Sequence, residues 1–183
     1  MAFFLVRTAR LDDREAIREL HAKLDNGVSL LPDEPIDGLG PCALMQATAH
    51  QYPFLVAEEG GRVLGFAHAR AHRDQQAFRW SVDACVYAKA GYQRVDVVRA
   101  LYRNLLDNLR EQGYLAVYAA IALCEHESIE IHEALGFSHI GVHQGVDLRP
   151  EADYWCLTLA GGGARSEPMP FQVLQGRRNS TVR

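Results

Sequence analysis

The chain has 183 residues, of which 48% are hydrophobic and 23% charged, and its formal net charge is −4. This length suits one full-sized domain, and the composition is that of a globular protein, which excludes a wholly disordered chain. No segment approaches the ~20 consecutive apolar residues of a membrane-spanning helix. The start, MAFFLVRTAR, lacks the basic segment and the cleavage site of a signal peptide. We therefore expect a cytoplasmic protein with no membrane partner.

Cysteine usage and charge narrow the class further. The four cysteines lie far apart and form no CxxC pair, so we expect neither a disulfide framework nor a metal site. Residues 160–183 carry a net charge of +3, which leaves −7 for residues 1–159. Because phosphate binding needs a cationic surface, this acidic body argues against nucleic acid as a partner. We interpret 1–159 as one domain and the Gly-, Pro- and Ser-rich 160–183 as a flexible basic tail, with lipid or RNA binding as its alternative.

The first half of the chain predicts a strand, two helices and three further strands. Phe3 to Arg7 is β-prone, and a helix follows that Asp12 or Asp13 can cap. Residues 27–40 contain three Gly and two Pro and predict a loop, and a helix is expected over about 42–50. YPFLVAEE and RVLGFAHARA, joined by two glycines, predict a β-hairpin. A third long strand is expected over 78–88, FRWSVDACVYA.

The second half begins with the clearest helix, expected from about Asp96 to Gln112 with Gly113 as its C-terminal cap. LAVYAAIAL is a continuous apolar run, typical of a strand covered on both faces. SIEIHEALG predicts a helix ending at Gly136, and FSHIGVH and YWCLTL predict two more strands. This order predicts a single α/β domain with a mixed central sheet and helices on both faces.

Four segments resemble one family. They are YPFLVAEEGGRVLGFAHA, AFRWSVDACVY, LYRNLLDNLREQGY and SIEIHEALGFSHIGV. Together they are similar to the phosphinothricin N-acetyltransferase branch of the GNAT superfamily, small enzymes that acetylate the amine of amino-acid-like substrates. The resemblance covers about residues 5–143 and implies the GNAT fold, acetyl-CoA as co-substrate and no metal.

The resemblance also locates the cofactor groove. In the family, a loop with small residues between the central strand and the long helix holds the coenzyme A pyrophosphate on backbone N–H groups and the helix dipole. The corresponding residues here are Gln93, Arg94, Val95, Asp96, Val97 and Val98. Asp96 and Val98 replace the small residues, so this loop departs from the family pattern, and a carboxylate near a diphosphate is unfavourable. Alternatively, Asp96 is simply the cap of its own helix. Glu125 stands where the family has an asparagine that contacts the pantetheine arm, whereas Ser128 keeps the family's residue.

The catalytic assignments follow from the same resemblance. Direct transfer needs a deprotonated amine, a polarised thioester carbonyl and a protonated leaving thiolate. Asp83 corresponds to the family's strand carboxylate and is expected to be the base, or else to pair with an arginine such as Arg79. The strand Cys85, Val86, Tyr87 is expected to supply a backbone N–H to the carbonyl and to pair with the pantetheine amides. His132 is expected either to protonate the thiolate or to make a core contact.

The acceptor pocket is the least determined part of the site. Arg73 corresponds to an arginine expected to hold an acidic group of the acceptor, unless it is simply solvated. Arg79 and Trp80 are the next candidates. The resemblance implies an acetyl-CoA-dependent N-acetyltransferase that acts on a small amine, and a homodimer. The alternative is a non-catalytic binding or dimerisation module that has lost acetyl-CoA binding.

Overall fold

The computed structural model describes residues 4–24, 41–91, 94–122, 126–143, 152–159 and 166–181. Its strands are β1 Leu5–Thr8, β2 Phe54–Glu59, β3 Arg62–Ala71, β4 Ser81–Ala88, β5 Ala116–Ala122, β6 Ser138–His143 and β7 Ala152–Thr158. Its helices are α1 Arg14–Leu24, α2 Pro41–Thr48, α3 Arg94–Gln112, α4 His126–Ala134 and α5 Phe171–Thr181.

The seven strands form one mixed sheet in the order β1-β2-β3-β4-β5-β7-β6. The pair β4 and β5 is parallel, and the other five neighbouring pairs are antiparallel. The helix α3 connects the two parallel strands, which is the crossover that such a pair requires. The predicted single α/β domain with a mixed sheet is confirmed.

Helices cover both faces of the sheet, as predicted. On one face, Ile17 of α1 and Met45 of α2 pack with Phe54 and Phe66 in a small buried cluster. On the opposite face, the apolar stripe of α3 packs on the alanines and valines of the central strands in a larger core. Because side chains alternate along a strand, residues 81, 83, 85 and 87 of β4 face α1, whereas 82, 84, 86 and 88 face α3.

One glycine sets the distance between α3 and the sheet. A Cβ atom on Gly65 would lie 2.6 Å from the carbonyl oxygen of Tyr87 and 3.0 Å from a methyl carbon of Val97. Any side chain at this position would push α3 away from β3 and β4. Gly65 therefore fixes how closely the first turn of α3 approaches the middle of β4.

Two predicted boundaries near the site are wrong. The strand expected from residue 78 begins at Ser81, because Gln76–Phe78 form a 3-10 turn. The helix expected from Asp96 begins at Arg94, whose N–H bonds to the carbonyl of Gly91. Asp96 therefore lies inside the first turn and does not cap the helix, although its charge there is favourable toward the helix dipole.

The flexible tail expected over 160–183 is also wrong for its described part, 166–181. Phe171 and Leu174 of α5 are buried in the larger core. The fully buried side chain of Gln112 donates from Nε2 to the carbonyl oxygens of Gln51 and Met169, at 2.8 and 2.7 Å. These contacts hold the C-terminal segment on the domain, so the domain extends beyond residue 159.

Candidate active site

The central feature of the site is a split between β4 and β5. The two strands pair only from Ser81 to Asp83 and from Ala116 to Tyr118. Beyond this point β4 continues to Ala88 beside β3, and β5 continues to Ala122 beside β7. The sheet therefore opens in its middle, starting immediately after Asp83 and Tyr118.

The backbone of Val86 faces this split. His72 N–H bonds to the Ser81 carbonyl and Lys89 N–H to the Leu64 carbonyl, which fixes the hydrogen-bonded pairs of β3 and β4. The backbone groups of odd-numbered β4 residues, including Cys85 and Tyr87, are therefore used in the ladder with β3. Those of even-numbered residues are directed toward β5. Of the three predicted backbone contacts, only Val86 has its N–H and carbonyl turned toward the opening.

The carboxylate of Asp83 lies at the mouth of the split, between two basic side chains. Its Oδ1 is 2.6 Å from Nδ1 of His72, and its Oδ2 is 3.5 Å from Nη2 of Arg70. Arg70 and Asp83 occupy opposite positions of β3 and β4, so both side chains lie on the α1 face of the sheet. Asp83 thus pairs with Arg70 and His72, and the anticipated pairing with Arg79 does not occur.

Aromatic rings hold His72 in place. Its ring stacks on that of Tyr118 with the centroids 4.0 Å apart and the planes inclined by 13°. The ring of Phe78 approaches it edge-on at 5.7 Å. The guanidinium of Arg73, which is exposed, lies 5.4 Å from the centre of the Phe78 ring. The structure therefore brings the predicted Arg73 near the Asp83 cluster, and adds His72 and Tyr118, to which the resemblance assigned no role in the site.

Tyr118 lies next to Asp83 and extends a row of polar side chains across the sheet toward β7. It lies opposite Asp83 on one side and opposite Cys156 of β7 on the other. Burial raises the pKa of the Tyr118 hydroxyl and that of the Cys156 thiol. Both groups are therefore neutral near physiological pH and leave Asp83 as the acidic member of this row.

The other two acceptor candidates belong to a different part of the molecule. The guanidinium of Arg79 stacks on Trp80 at 3.9 Å and forms an ion pair with Glu167 at 3.0 Å. The indole N–H of Trp80 donates to the carbonyl of Ser166. Both side chains thus contact the segment that leads into α5, and the structure does not bring them together with His72 and Asp83.

His132 is buried, with both ring nitrogens engaged. Nδ1 lies 2.7 Å from the carbonyl oxygen of Ser128, and Nε2 lies 2.7 Å from the hydroxyl of Tyr102. A carbonyl can only accept, so Nδ1 carries the proton, and Nε2 of the neutral ring accepts from Tyr102. Burial lowers the pKa of His132 despite the bond to Ser128. This geometry favours the core contact over the protonation of a thiolate.

The first turn of α3 presents a mixed set of groups. Val97 is buried in the core, and Val95 and Val98 are half-buried against it. Asp96 is exposed, while Arg94 forms an ion pair with Glu127 in the first turn of α4. Val98 thus packs against the core, and Asp96 is open to solvent. Two predicted cofactor contacts, Gln93 and Glu125, lie outside the described residues.

The family profile of the acetyltransferase (GNAT) family matches residues 15–137 of the chain. The match includes β4, the split and the first turns of α3 and α4. The chain belongs to the GNAT family. It is 33% identical over 135 residues to an L-amino acid N-acyltransferase of Escherichia coli, which covers 72% of this chain and 78% of that protein.

Two further relatives belong to the phosphinothricin branch. A phosphinothricin N-acetyltransferase of Streptomyces viridochromogenes is 36% identical over 110 residues, 60% of this chain and 57% of that protein. The match thus spans little more than half of that GNAT enzyme. A GNAT phosphinothricin acetyltransferase of Sinorhizobium meliloti, solved with acetyl-CoA, superposes with a TM-score of 0.72 at 26% identity. That superposition covers 91% of this chain and 93% of the other.

Among the described residues of this GNAT protein, no helix is long and apolar enough to cross a membrane. The same part of the chain contains no group of three or more His, Cys, Asp or Glu side chains arranged to hold a metal ion.

Proposed function

We propose that the protein transfers an acetyl group from acetyl-CoA to the amine of a small amino-acid-like acceptor. One observation supports this above all others: the split between β4 and β5 opens directly beside the ion pair of the half-buried Asp83 and the buried Arg70. A strand edge that faces an opening can bind an extended chain through its backbone groups. The pantetheine arm is such a chain, since it carries two amides in an otherwise flexible linker. The site therefore fits the thioester end of acetyl-CoA.

The residues that would hold the donor lie on both sides of the opening. Val86 offers a backbone N–H and a carbonyl to the pantetheine amides. At the other end, the first turns of α3 and α4 carry Arg94 and Ser128, of which Arg94 offers a cation to the pyrophosphate. Acetyl-CoA supplies the activated acetyl group, and the chain supplies orientation, exclusion of water and a place for the amine's proton.

The acceptor side of the split is the α1 face of the sheet, where Asp83 lies. Arg73 stands at the rim of this cluster and is suited to a carboxylate or phosphinate of the acceptor, because a guanidinium binds such groups with two hydrogen bonds. An ammonium group beside the Asp83 carboxylate and an acidic group beside Arg73 together describe an amino acid or a close analogue. The two relatives reported above, which act on phosphinothricin and on L-amino acids, support this class of acceptor.

The test is a binding measurement followed by an activity screen. Calorimetric titration with acetyl-CoA should give a micromolar Kd, about −8 kcal/mol. Release of free coenzyme A thiol, followed with a thiol reagent, should then depend on an acceptor from a panel of L-amino acids and phosphinothricin. Absence of heat at millimolar acetyl-CoA would contradict the proposal and favour the non-catalytic alternative. The predicted homodimer and cytoplasmic location stay predictions.

A further inference from the structure

We infer that His72 is the group that takes the proton from the acceptor amine, and that Asp83 acts through it as a positioning residue. The inference rests on the proposed acetyl transfer and assigns the base within it. The carboxylate was the expected base, but both of its oxygens face basic side chains, Arg70 of β3 and His72 immediately after that strand. The histidine in contact with that carboxylate, stacked on Tyr118 where the split starts, has the chemistry of a general base.

The hydrogen bond to Asp83 fixes the tautomer of His72. An ionised carboxylate only accepts, so Nδ1 of His72 must carry the proton in this 2.6 Å contact. The lone pair of the neutral ring then lies on Nε2. Among the described residues, no hydrogen bond occupies this atom, and the side chain keeps 15% of its surface exposed. A second ring nitrogen, left open while a carboxylate holds the first, is the arrangement by which histidine accepts a proton in catalysis.

The ring is also fixed in position. Stacking on Tyr118 at 4.0 Å and the edge contact with Phe78 leave little freedom of rotation. Tyr118 is the residue on β5 at which pairing with β4 ends. His72 consequently lies over the start of the split, where an acetyl group presented along the Val86 edge would meet the amine.

A comparison within the chain separates His72 from two buried histidines. His132 uses both nitrogens within the core. His68, two strand positions from Arg70 on the same face, packs beside the rings of Phe54 and Phe66 and is almost fully buried. Of these three, only His72 combines a carboxylate on one nitrogen with an open second nitrogen.

The reaction balances with this assignment. Nε2 of neutral His72 takes one proton from the ammonium of the acceptor and later releases it to water. The freed amine forms the N–C bond to the acetyl carbonyl carbon, and the C–S bond breaks. The nitrogen gives its second proton to the departing sulfur, so the products are the amide, the free thiol and one proton. No oxidant, reductant or metal is needed.

Three variants test the inference. His72→Phe keeps an aromatic ring on Tyr118 but removes both nitrogens. We expect it to lower kcat/KM for the acceptor by about 100-fold or more, the range of general-base catalysis. Acetyl-CoA affinity and the melting temperature should stay close to those of the unaltered protein. The matched control is His139→Phe, which removes another His–Asp pair, with Asp153 at 2.9 Å, on the edge strand β6. This control should keep full activity.

Chemical rescue separates a proton acceptor from a merely structural ring. In His72→Ala, added imidazoles should restore activity, and the restored rate should rise with the basicity of the imidazole. A loss below tenfold in His72→Phe, or a rescue that is absent or independent of basicity, overturns the inference. If the unaltered protein acetylates no amine in the panel, the proposed function itself fails, which is a distinct result.

Discussion

The buried histidine His68 should make the stability of the protein depend on pH. Burial lowers the pKa of His68 to about 3, with smaller contributions from the charges of Arg70 and His21. Its Nδ1 has no hydrogen-bond partner among the described residues. The folded protein therefore keeps this ring neutral at any pH well above 3. In the unfolded chain the ring is solvated and binds a proton below about pH 6.5.

The sign and size of the effect follow from this difference. Below about pH 6.5 the unfolded chain binds one proton more than the folded protein, so stability present at higher pH is lost as the pH falls. Between about pH 7.5 and pH 5, His68 alone should lower the free energy of unfolding by about 2 kcal/mol. For a chain of this size, that corresponds to about 4–8 °C in Tm.

The perturbation is His68→Phe, which keeps an aromatic ring beside Phe54 and Phe66, whose ring centres lie 5.2 and 6.3 Å from that of His68. Urea unfolding at a series of pH values measures the effect. We expect the variant to lose about 2 kcal/mol less than the unaltered protein over this pH interval. The control His50→Gln removes an exposed histidine and should follow the unaltered protein. Equal losses in His68→Phe and the unaltered protein would refute the assignment of this titration to His68.

Three further variants test the packing and the cofactor groove. Gly65→Ala places a Cβ 2.6 Å from the Tyr87 carbonyl and should cost about 1–3 kcal/mol in urea unfolding, so an unchanged midpoint would contradict the close approach of α3. Gln112→Leu removes the side-chain donor of the Gln51 and Met169 carbonyls, of which Gln51 keeps the Phe171 N–H, so we expect a cost of about 1–3 kcal/mol, chiefly from the Met169 carbonyl. It should also make the C-terminal helix sensitive to proteases, and resistance would show that other contacts hold the helix. Asp96→Asn removes a negative charge beside the proposed pyrophosphate site and should tighten acetyl-CoA binding about fivefold, the equivalent of about 1 kcal/mol. Asp107→Asn, on the same helix, is the control in calorimetry, and an equal gain there would indicate a general charge effect.

Local patterns predicted most of the fold. The apolar residues of α3 recur with the period of a helix, and β5 is a continuous apolar run of strand length. Residues that end a helix or strand bound both segments, so the type of each element could be predicted from the sequence. The predicted start of β4 was wrong because the aromatic residues Phe78 and Trp80 alternate with Arg79 as they would in a strand. Its backbone nevertheless turns at Gln76–Phe78, and tertiary contacts to Ser166 and Glu167 hold Arg79 and Trp80 outside the strand.

The C-terminal helix was not predicted because the Gly, Pro and Ser content of the segment was given more weight than the spacing of its apolar residues. Gly, Pro and Ser before residue 170 indicated a mobile segment, yet Phe171 and Leu174 lie three residues apart and share one face of a helix. Two apolar residues are too few to predict a helix by themselves. What stabilises it is the docking of these two side chains and the hydrogen bonds from Gln112, which join residues distant in sequence.

The site could be predicted only in part, for a similar reason. The resemblance identified Asp83, but the contact between Asp83 and His72 depends on the register of β3 and β4. A shift by one residue would have moved His72 to the α3 face. Side chains alternate between the two faces of a strand, so Arg70 and His72, which are separated by one residue, lie on the same face of the sheet. Recognising that this face was also that of Asp83 required the paired strands.

The departures from the family pattern have different consequences along the groove. The split that is proposed to accept the thioester end is formed by the backbone, through the direction of Val86 and the end of pairing at Asp83, and not by the side chains of Asp96 and Val98. Asp96 acts instead through its charge, at an exposed position in water, where its effect on a phosphate is weak and screened by salt. Arg94, held by Glu127 across the first turns of two helices, offers a cation near the same place. The altered loop should therefore weaken donor binding without removing the geometry of transfer, and this is the physical reason for preferring an active transferase to a module that has lost its co-substrate.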